Sequence, residues 1–291
     1  MATLNDWLEG ARVRTLPAAV SPVLVGSGIA IMEGGFSWVR AVLAGAVALL
    51  LQVGVNFAND YSDGVRGTDE WRTGPPRLTG GGKTSPNVVK FAAFAFFGLA
   101  GLAGIALVAL SGQWWLIAVG IAAVVAAWFY TGGKNPYGYM GLGEVFVMVF
   151  FGYVATVGTT YTQTGTAPWE AWAGGTGVGL IACALLMINN IRDIPTDSVT
   201  GKNTLAVRLG DRRARISYGL MLAGAIVFGV AIGFSHWPVS IGMIPLAVWA
   251  IVLSRRVMSG LEGRALIPVL RDTGLLELAY GAVVVAAIAL F

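Results

Sequence analysis

Nine long apolar segments, separated by short polar stretches, set the limits on what this chain can fold into. Each has about 15 to 22 residues, the helical length that crosses a hydrocarbon core of about 30 Å. They are Leu16–Met32, Ala41–Ala58, Val88–Leu110, Trp114–Tyr130, Leu142–Tyr161, Trp172–Asn190, Ile216–Phe234, Val239–Leu253 and Leu275–Phe291. Only 12% of the 291 residues are charged, against about a quarter in soluble domains. We predict an all-α polytopic membrane protein, with about nine transmembrane helices in a bundle around a central cavity.

The distribution of positive charge supports this layout and orients it. Of the 19 Lys and Arg, 18 lie in the amino-terminal segment or after the second, fourth, sixth and eighth segments, and only Arg40 lies on the other side. The positive-inside rule then predicts a cytoplasmic amino terminus and an external carboxyl terminus. The net charge of +4 suits anionic lipid head groups or a phosphorylated ligand. Nucleic acid is excluded as a partner, because no basic face lies outside the membrane loops.

Two clusters of carboxylate and amide side chains lie at the ends of the second and sixth segments. Residues spaced by three or four positions share one face of a helix. This face carries Asn56, Asp60 and Asp63, with Asn59 on its flank, and later Asn190, Asp193 and Asp197. Both clusters are predicted to run on into similar loops. Their separation of four helices suggests that one domain, 1–291, contains two pseudo-repeated halves, with acidic motifs near 56–69 and 189–204 that face each other.

The chemistry of these clusters indicates a site for a metal and a diphosphate. Converging carboxylates repel one another unless cations lie between them, and oxygen ligands without His or Cys suit Mg²⁺. Nearby basic residues would bind the remaining phosphate oxygens; they are Arg66, Lys134, Arg192 and Lys202. The alternative is that these residues are solvated helix caps, since Asp and Asn are common in turns. The single histidine, His236, lies in an outer loop away from both clusters, and the single cysteine, Cys183, lies inside an apolar run; both are expected to have no catalytic role.

Several stretches of the sequence resemble the UbiA superfamily of intramembrane prenyltransferases. The acidic motifs are Asn59-Asp-x-x-Asp63 and Asp193-x-x-x-Asp197. Further stretches are similar to the branch that prenylates 1,4-dihydroxy-2-naphthoate in menaquinone synthesis: Arg12-Val-Arg-Thr-Leu-Pro-Ala, Asn56-Phe-Ala-Asn-Asp-Tyr-Ser-Asp-Gly, Gly74-Pro-Pro-Arg-Leu-Thr, Gly138-Tyr-Met-Gly-Leu-Gly-Glu144 and Asn189-Asn-Ile-Arg-Asp-Ile. The resemblance covers essentially the whole chain.

This resemblance implies a Mg²⁺-dependent enzyme of the bacterial inner membrane whose active site faces the cytoplasm. Its substrates would be a polyprenyl diphosphate and 1,4-dihydroxy-2-naphthoate, joined with loss of CO₂ to give demethylmenaquinol. The implied metal ligands are Asn56, Asn59, Asp60, Asp63, Asp193 and Asp197, and the implied diphosphate-binding residues are Lys134 and Lys202, with Arg66 and Arg77 behind them. Asp60, Asp63, Asp193, Asp197 and Lys134 are the expected catalytic residues, whereas Asp69 and Glu70 are less specific.

Other features of the reaction stay open at this point. Aromatic rings are expected to face an allylic cation, with Phe57, Tyr130, Tyr139, Phe146 and Phe150 as candidates. Arg14, Arg66 or Arg77 would bind the acceptor carboxylate. The alternative acceptors within the superfamily are 4-hydroxybenzoate, a tocopherol precursor, a haem and a phosphoribosyl sugar, and a cation-coupled transporter is an alternative from another class. The length of the prenyl chain and the oligomeric state are not predicted.

Overall fold

A computed structural model describes residues 2–67 and 77–291, except for the side chain of Arg14. In these residues a helix occupies each of the nine predicted segments, and no strand is present. The helices are α1 (Leu4–Gly10), α2 (Pro17–Met32), α3 (Trp38–Val65), α4 (Pro86–Ser111), α5 (Leu116–Phe129), α6 (Gly143–Thr164), α7 (Trp169–Thr200), α8 (Leu205–Leu209), α9 (Asp211–Ile232), α10 (Trp237–Met258) and α11 (Ile267–Leu290). Part of α6, Met148–Val154, is π-helical.

Seven of the described helices are long and apolar enough to cross a membrane: α3, α4, α6, α7, α9, α10 and α11, the last with its preceding turn from Gly263. The α2 and α5 helices are equally apolar but have only 16 and 14 residues. The all-helical membrane fold is therefore confirmed. The count of nine spans and the orientation of the two termini stay predictions.

The ends of two helices differ from the prediction. The α3 helix continues beyond Ala58 to Val65, and α7 continues beyond Asn190 to Thr200. The predicted loop after Asp197 is wrong, because 197–200 are still helical and the helix ends only at Gly201, whose φ is 78°. Polar residues lower the hydropathy of a segment without interrupting its backbone hydrogen bonds, so hydropathy located the end of the apolar run rather than the end of the helix. Both acidic motifs consequently lie on rigid helices.

The α7 helix is the centre of the bundle. Its apolar window is 72% buried, whereas the corresponding windows of the other spans are 28% to 44% buried. It packs against α9, α11, α2 and α6, and its buried residues belong to the main hydrophobic core. The α3 and α4 helices form a second packed pair, and α5 lies against these two. Residues of α5 and α6 line a common cavity.

Arg40, the one basic residue predicted on the opposite side, links three helices at that end of the bundle. The Arg40 guanidinium donates hydrogen bonds to the carbonyls of Thr162 at 3.2 Å, Gln163 at 3.0 Å and Leu110 at 2.7 Å. These carbonyls belong to the last turns of α6 and α4, where a cation also interacts favourably with the helix dipole. Arg40 thus ties α3 to two neighbouring helix ends.

Close packing of α2 against α6 generates a test of the fold. A Cβ atom at Gly26 would lie 2.4 Å from the Thr156 carbonyl oxygen, so we expect Gly26→Ala to separate the two helices. Overpacking of this kind costs about 1–3 kcal/mol, and thermal unfolding in detergent should show a lower Tm. Gly98→Ala is the matched control, because a Cβ atom there meets nothing within 4 Å. Equal Tm values for the two variants would contradict this packing.

Candidate active site

A cavity of about 1200 Å³ brings most of the predicted site residues together. The α3 helix contributes Asn56, Asn59, Asp60 and Asp63, and α7 contributes Asn189, Asn190, Arg192, Asp193 and Asp197. Arg77 and Lys202 line the same space from the segments that follow these helices. The two motifs are 134 residues apart in the chain, yet they face one cavity, as their matching spacing predicted.

On the α3 side, the polar residues are held in fixed orientations by backbone groups. The Asp60 carboxylate accepts hydrogen bonds from the amides of Leu78 at 2.9 Å and Thr79 at 2.8 Å. The side-chain oxygen of Asn59 accepts a hydrogen bond from the Thr131 hydroxyl at 2.8 Å. Asp60 therefore anchors the segment that begins at Arg77 to the helix.

Asp63 is the point at which four parts of the chain meet. Its carboxylate accepts a 2.5 Å hydrogen bond from the Tyr139 hydroxyl and lies 3.0 Å from the Arg77 guanidinium and 3.5 Å from the Lys202 ammonium group. The Lys202 ammonium group also lies 4.6 Å from the centre of the Tyr139 ring. The Asp63 side chain is 4% exposed, so this charge is stabilised by its partners rather than by water.

On the α7 side, a buried arginine organises the motif. Arg192 binds both carboxylate oxygens of Asp193, at 2.7 and 2.5 Å, and donates to the side-chain oxygen of Asn189 at 2.9 Å. The side-chain nitrogen of Asn190 lies 3.4 Å from the Glu144 carboxylate. The sequence predicted Arg192 as a phosphate ligand, whereas here it pairs with a predicted metal ligand.

The donor set fits Mg²⁺ when a substrate supplies further oxygens. All the candidate ligands are carboxylate or amide oxygens, which this ion prefers. Within 2–67 and 77–291, no three His, Cys, Asp or Glu side chains are close enough to hold a metal by themselves. Such a site matches the usual behaviour of Mg²⁺, which is bound by one or two carboxylates together with phosphate oxygens and water.

Two predicted basic residues do not reach the cavity. Lys134 is exposed in the segment after α5 and does not line the space. Arg66 is exposed at the end of α3, donates to the Gly133 carbonyl and lies 5.3 Å from the centre of the Tyr139 ring. A residue that is close to a motif in the sequence can still point away from it in the fold. The spacing of residues alone does not show this. Asp69, Glu70 and the Arg14 side chain lie outside the described residues.

Most of the predicted aromatic residues line the cavity, and one does not. Four of them, Tyr130, Tyr139, Phe146 and Phe150, line the cavity. Phe57 does not, because it points to the other side of α3 and packs against Trp7 at 5.5 Å and Phe96 at 5.7 Å between ring centres. Tyr137 was missed, although it stacks on Phe146 at 3.8 Å and lines the same wall. Burial raises the pKa of the Tyr137 hydroxyl, which therefore stays protonated.

Among the further cavity residues that were not predicted as site residues are Arg12 and Gln52. Arg12 adopts a left-handed conformation with φ 53°, the single positive φ among the described non-glycine residues. Gln52 lies one helical turn before Asn56 on the same face of α3. Both line the cavity. Gln52 could have been identified from its spacing of four residues from Asn56. No feature of the local sequence indicates the left-handed backbone of Arg12.

The remainder of the cavity is an apolar channel. Along α3, beyond Gln52, its lining runs from Leu51 back to Ala44, a distance of about 10 Å at a helical rise of roughly 1.5 Å per residue. The α4, α5 and α6 helices complete its walls, partly through small residues such as Gly101, Gly120 and Gly158. A polar and charged end thus opens into a long apolar space.

Comparison with known proteins agrees with this geometry. The model of the UbiA prenyltransferase family matches residues 19–264 of the chain. The chain belongs to the UbiA prenyltransferase family. It is 48% identical to the 1,4-dihydroxy-2-naphthoate octaprenyltransferase of Mycobacterium tuberculosis, covering 99% of this chain and 98% of the relative. It is 41% identical to the enzyme of that name from Escherichia coli, covering 76% and 74% of the two chains.

Solved structures of the family share the fold. A UbiA homologue from Aeropyrum pernix superposes with a TM-score of 0.73 at 17% identity, covering 94% of this chain and 96% of the homologue. A homologue from Archaeoglobus fulgidus bound to geranyl diphosphate and Mg²⁺ gives 0.70 at 16% identity, covering 98% and 100%. Similarity at this level concerns the arrangement of helices. The roles of individual side chains rest on the contacts described above.

Proposed function

We propose that this protein transfers a polyprenyl group from polyprenyl diphosphate to 1,4-dihydroxy-2-naphthoate, with loss of CO₂, to give demethylmenaquinol. One observation carries the proposal: the acidic motifs of α3 and α7 meet at the mouth of an apolar channel. Diphosphate and hydrocarbon are the two halves of such a donor. The acceptor is supported by the 48% identical relative of matching length, whose name specifies this reaction.

Mg²⁺ is the proposed metal, held by oxygens of Asp60, Asp63, Asp193 and Asp197 with Asn56 and Asn59 beside them. When bound, it would stabilise the negative charge that develops on the diphosphate as it leaves. Arg77 and Lys202 already lie in the cavity beside Asp63. Because both are cations with several donors, we expect them to bind diphosphate oxygens once the substrate is present.

The walls of the cavity have a separate task. An allylic cation reacts with water, and the apolar channel beyond the motifs excludes it. The rings of Phe146 and Phe150 line the cavity and offer electron-rich faces to a positive charge. The hydrocarbon tail would extend along the channel, which α5 and α6 both line.

The first test measures prenyl transfer with dihydroxynaphthoate, polyprenyl diphosphate and Mg²⁺. Asp60→Ala and Asp193→Ala should each lower kcat by at least about 100-fold, because each removes a carboxylate that would hold the Mg²⁺ ion, and this ion would stabilise the charge on the leaving diphosphate. EDTA should abolish turnover, and added Mg²⁺ should restore it. Glu33→Ala, at an exposed site away from the cavity, is the control and should retain full activity.

Two results would count against this proposal. Near-normal turnover by both aspartate variants would exclude the motifs as the metal site. Faster turnover with 4-hydroxybenzoate than with dihydroxynaphthoate would retain the prenyl transfer but change the acceptor.

A second prediction concerns the channel. A Cβ atom at Gly101 meets nothing within 4 Å and this residue lines the channel, so Gly101→Leu would fill space reserved for the tail. We expect a higher KM for long polyprenyl diphosphates and a smaller effect with geranyl diphosphate. Gly98→Leu, one turn earlier on α4 and equally free of neighbours, is the matched control. The same loss in both variants, or in neither, would argue against this path.

A third prediction concerns the proposed orientation in the bacterial inner membrane, with the active site facing the cytoplasm. In a Cys183→Ala background, Ser259→Cys after α10 should react with a membrane-impermeant maleimide only after the cells are opened. Ala167→Cys, in the exposed turn between α6 and α7, should react in intact cells. The reverse labelling pattern would invert the topology.

A further inference from the structure

Two polar residues that line the cavity, Arg12 and Gln52, are linked through hydrogen bonds with Thr15 and have complementary chemistry. We propose that Arg12 and Gln52 form the acceptor subsite, in which Arg12 binds the carboxylate of the hydroxynaphthoate and the Gln52 side-chain oxygen accepts a ring hydroxyl. This inference rests on the function proposed above. It concerns the part of the reaction that the acidic motifs do not explain.

The orientation of the Gln52 amide follows from its neighbour Thr15. The Thr15 hydroxyl donates its hydrogen to the Arg12 carbonyl at 2.9 Å, so towards Gln52 it can only accept. The nitrogen of the Gln52 amide must therefore face Thr15, and it lies 3.2 Å from the Thr15 hydroxyl oxygen. The amide oxygen is directed elsewhere.

That amide oxygen has no hydrogen-bond partner within the described parts of the chain. The residue is 9% exposed and lines the cavity. A buried acceptor without a donor is costly, so a ligand that brings an O–H or N–H group is expected at this position. A diphosphate carries no such donor when it is fully ionised, which separates this position from the donor subsite.

Arg12 lines the same cavity and supplies a positive charge. Its backbone carbonyl accepts both the amide of Thr15, at 2.7 Å, and the Thr15 hydroxyl, so Thr15 connects it to Gln52. The left-handed backbone of Arg12 is maintained by this turn, and such conformations are often concentrated at functional sites. A guanidinium group matches a carboxylate in charge and geometry.

The pair therefore recognises an aromatic acid that also carries a free hydroxyl. In 1,4-dihydroxy-2-naphthoate the 1-hydroxyl lies beside the carboxylate and forms an internal hydrogen bond, whereas the 4-hydroxyl is free to donate. We assign the 4-hydroxyl to Gln52. The subsite lies one turn, roughly 6 Å along α3, below Asn56, between the acidic motifs and the apolar channel, which is where the first carbon of the prenyl chain must lie.

The experiment compares competitive inhibitors that differ by one group, using purified full-length protein. In the wild type, 4-hydroxy-2-naphthoate should inhibit about five-fold more strongly than 2-naphthoate, the effect of one hydrogen bond. In Gln52→Met this ratio should fall to about one, because the acceptor oxygen is gone. The contribution of the carboxylate is measured by the preference for 4-hydroxy-2-naphthoate over 1-naphthol, which lacks this group. This preference should be lost in Arg12→Gln and kept in Gln52→Met.

The controls separate this inference from the function on which it rests. The KM for polyprenyl diphosphate in Gln52→Met should equal the wild-type value, which excludes a general disturbance of the cavity. If the wild type does not prenylate dihydroxynaphthoate, the proposed function fails. If it does, but the hydroxyl ratio persists in Gln52→Met, then Gln52 binds water or nothing and only the subsite is overturned.

Discussion

The cavity depends on one buried charge, the carboxylate of Asp63 near the end of α3. Its partners come from three other parts of the chain: Arg77, Tyr139 and Lys202. Removing a charge from water is costly unless every partner is in place. The same contacts therefore hold the segments around the cavity together and collect two cations where a diphosphate is expected. Structure and substrate binding share one set of interactions.

These side chains have well-defined relative positions because they lie on continuous helices. Because α3 and α7 extend through the acidic motifs, the spacing of four residues places Asn56 and Asp60 on one face, and Gln52 on the same face one turn deeper. A loop would allow these groups to move independently. The long helices also explain how the polar site joins the apolar channel without a break: both are parts of the same α3 surface.

The positions of the helices could be predicted from sequence, and the orientation of individual side chains only partly. Hydropathy located all nine apolar helices because bilayer thickness sets their length, and the period of the helix placed the carboxylates on a shared face. The predicted orientation was wrong for Phe57, which packs outside the cavity. Lys134 does not line the cavity either, because its position depends on the path of an irregular segment. Arg12 was not predicted, since a left-handed backbone is uncommon for a residue other than glycine and the sequence does not indicate the local turn with Thr15 that maintains it.

The central claim is that the motifs of α3 and α7 form one metal–diphosphate site. Mg²⁺ binding can be measured by calorimetry on purified protein, with and without a polyprenyl thiolodiphosphate that resists ionisation. We predict tight Mg²⁺ binding only together with this analogue, and its loss in both Asp60→Asn and Asp193→Asn. Wild-type Mg²⁺ affinity in either variant would show that the two motifs do not act as one site.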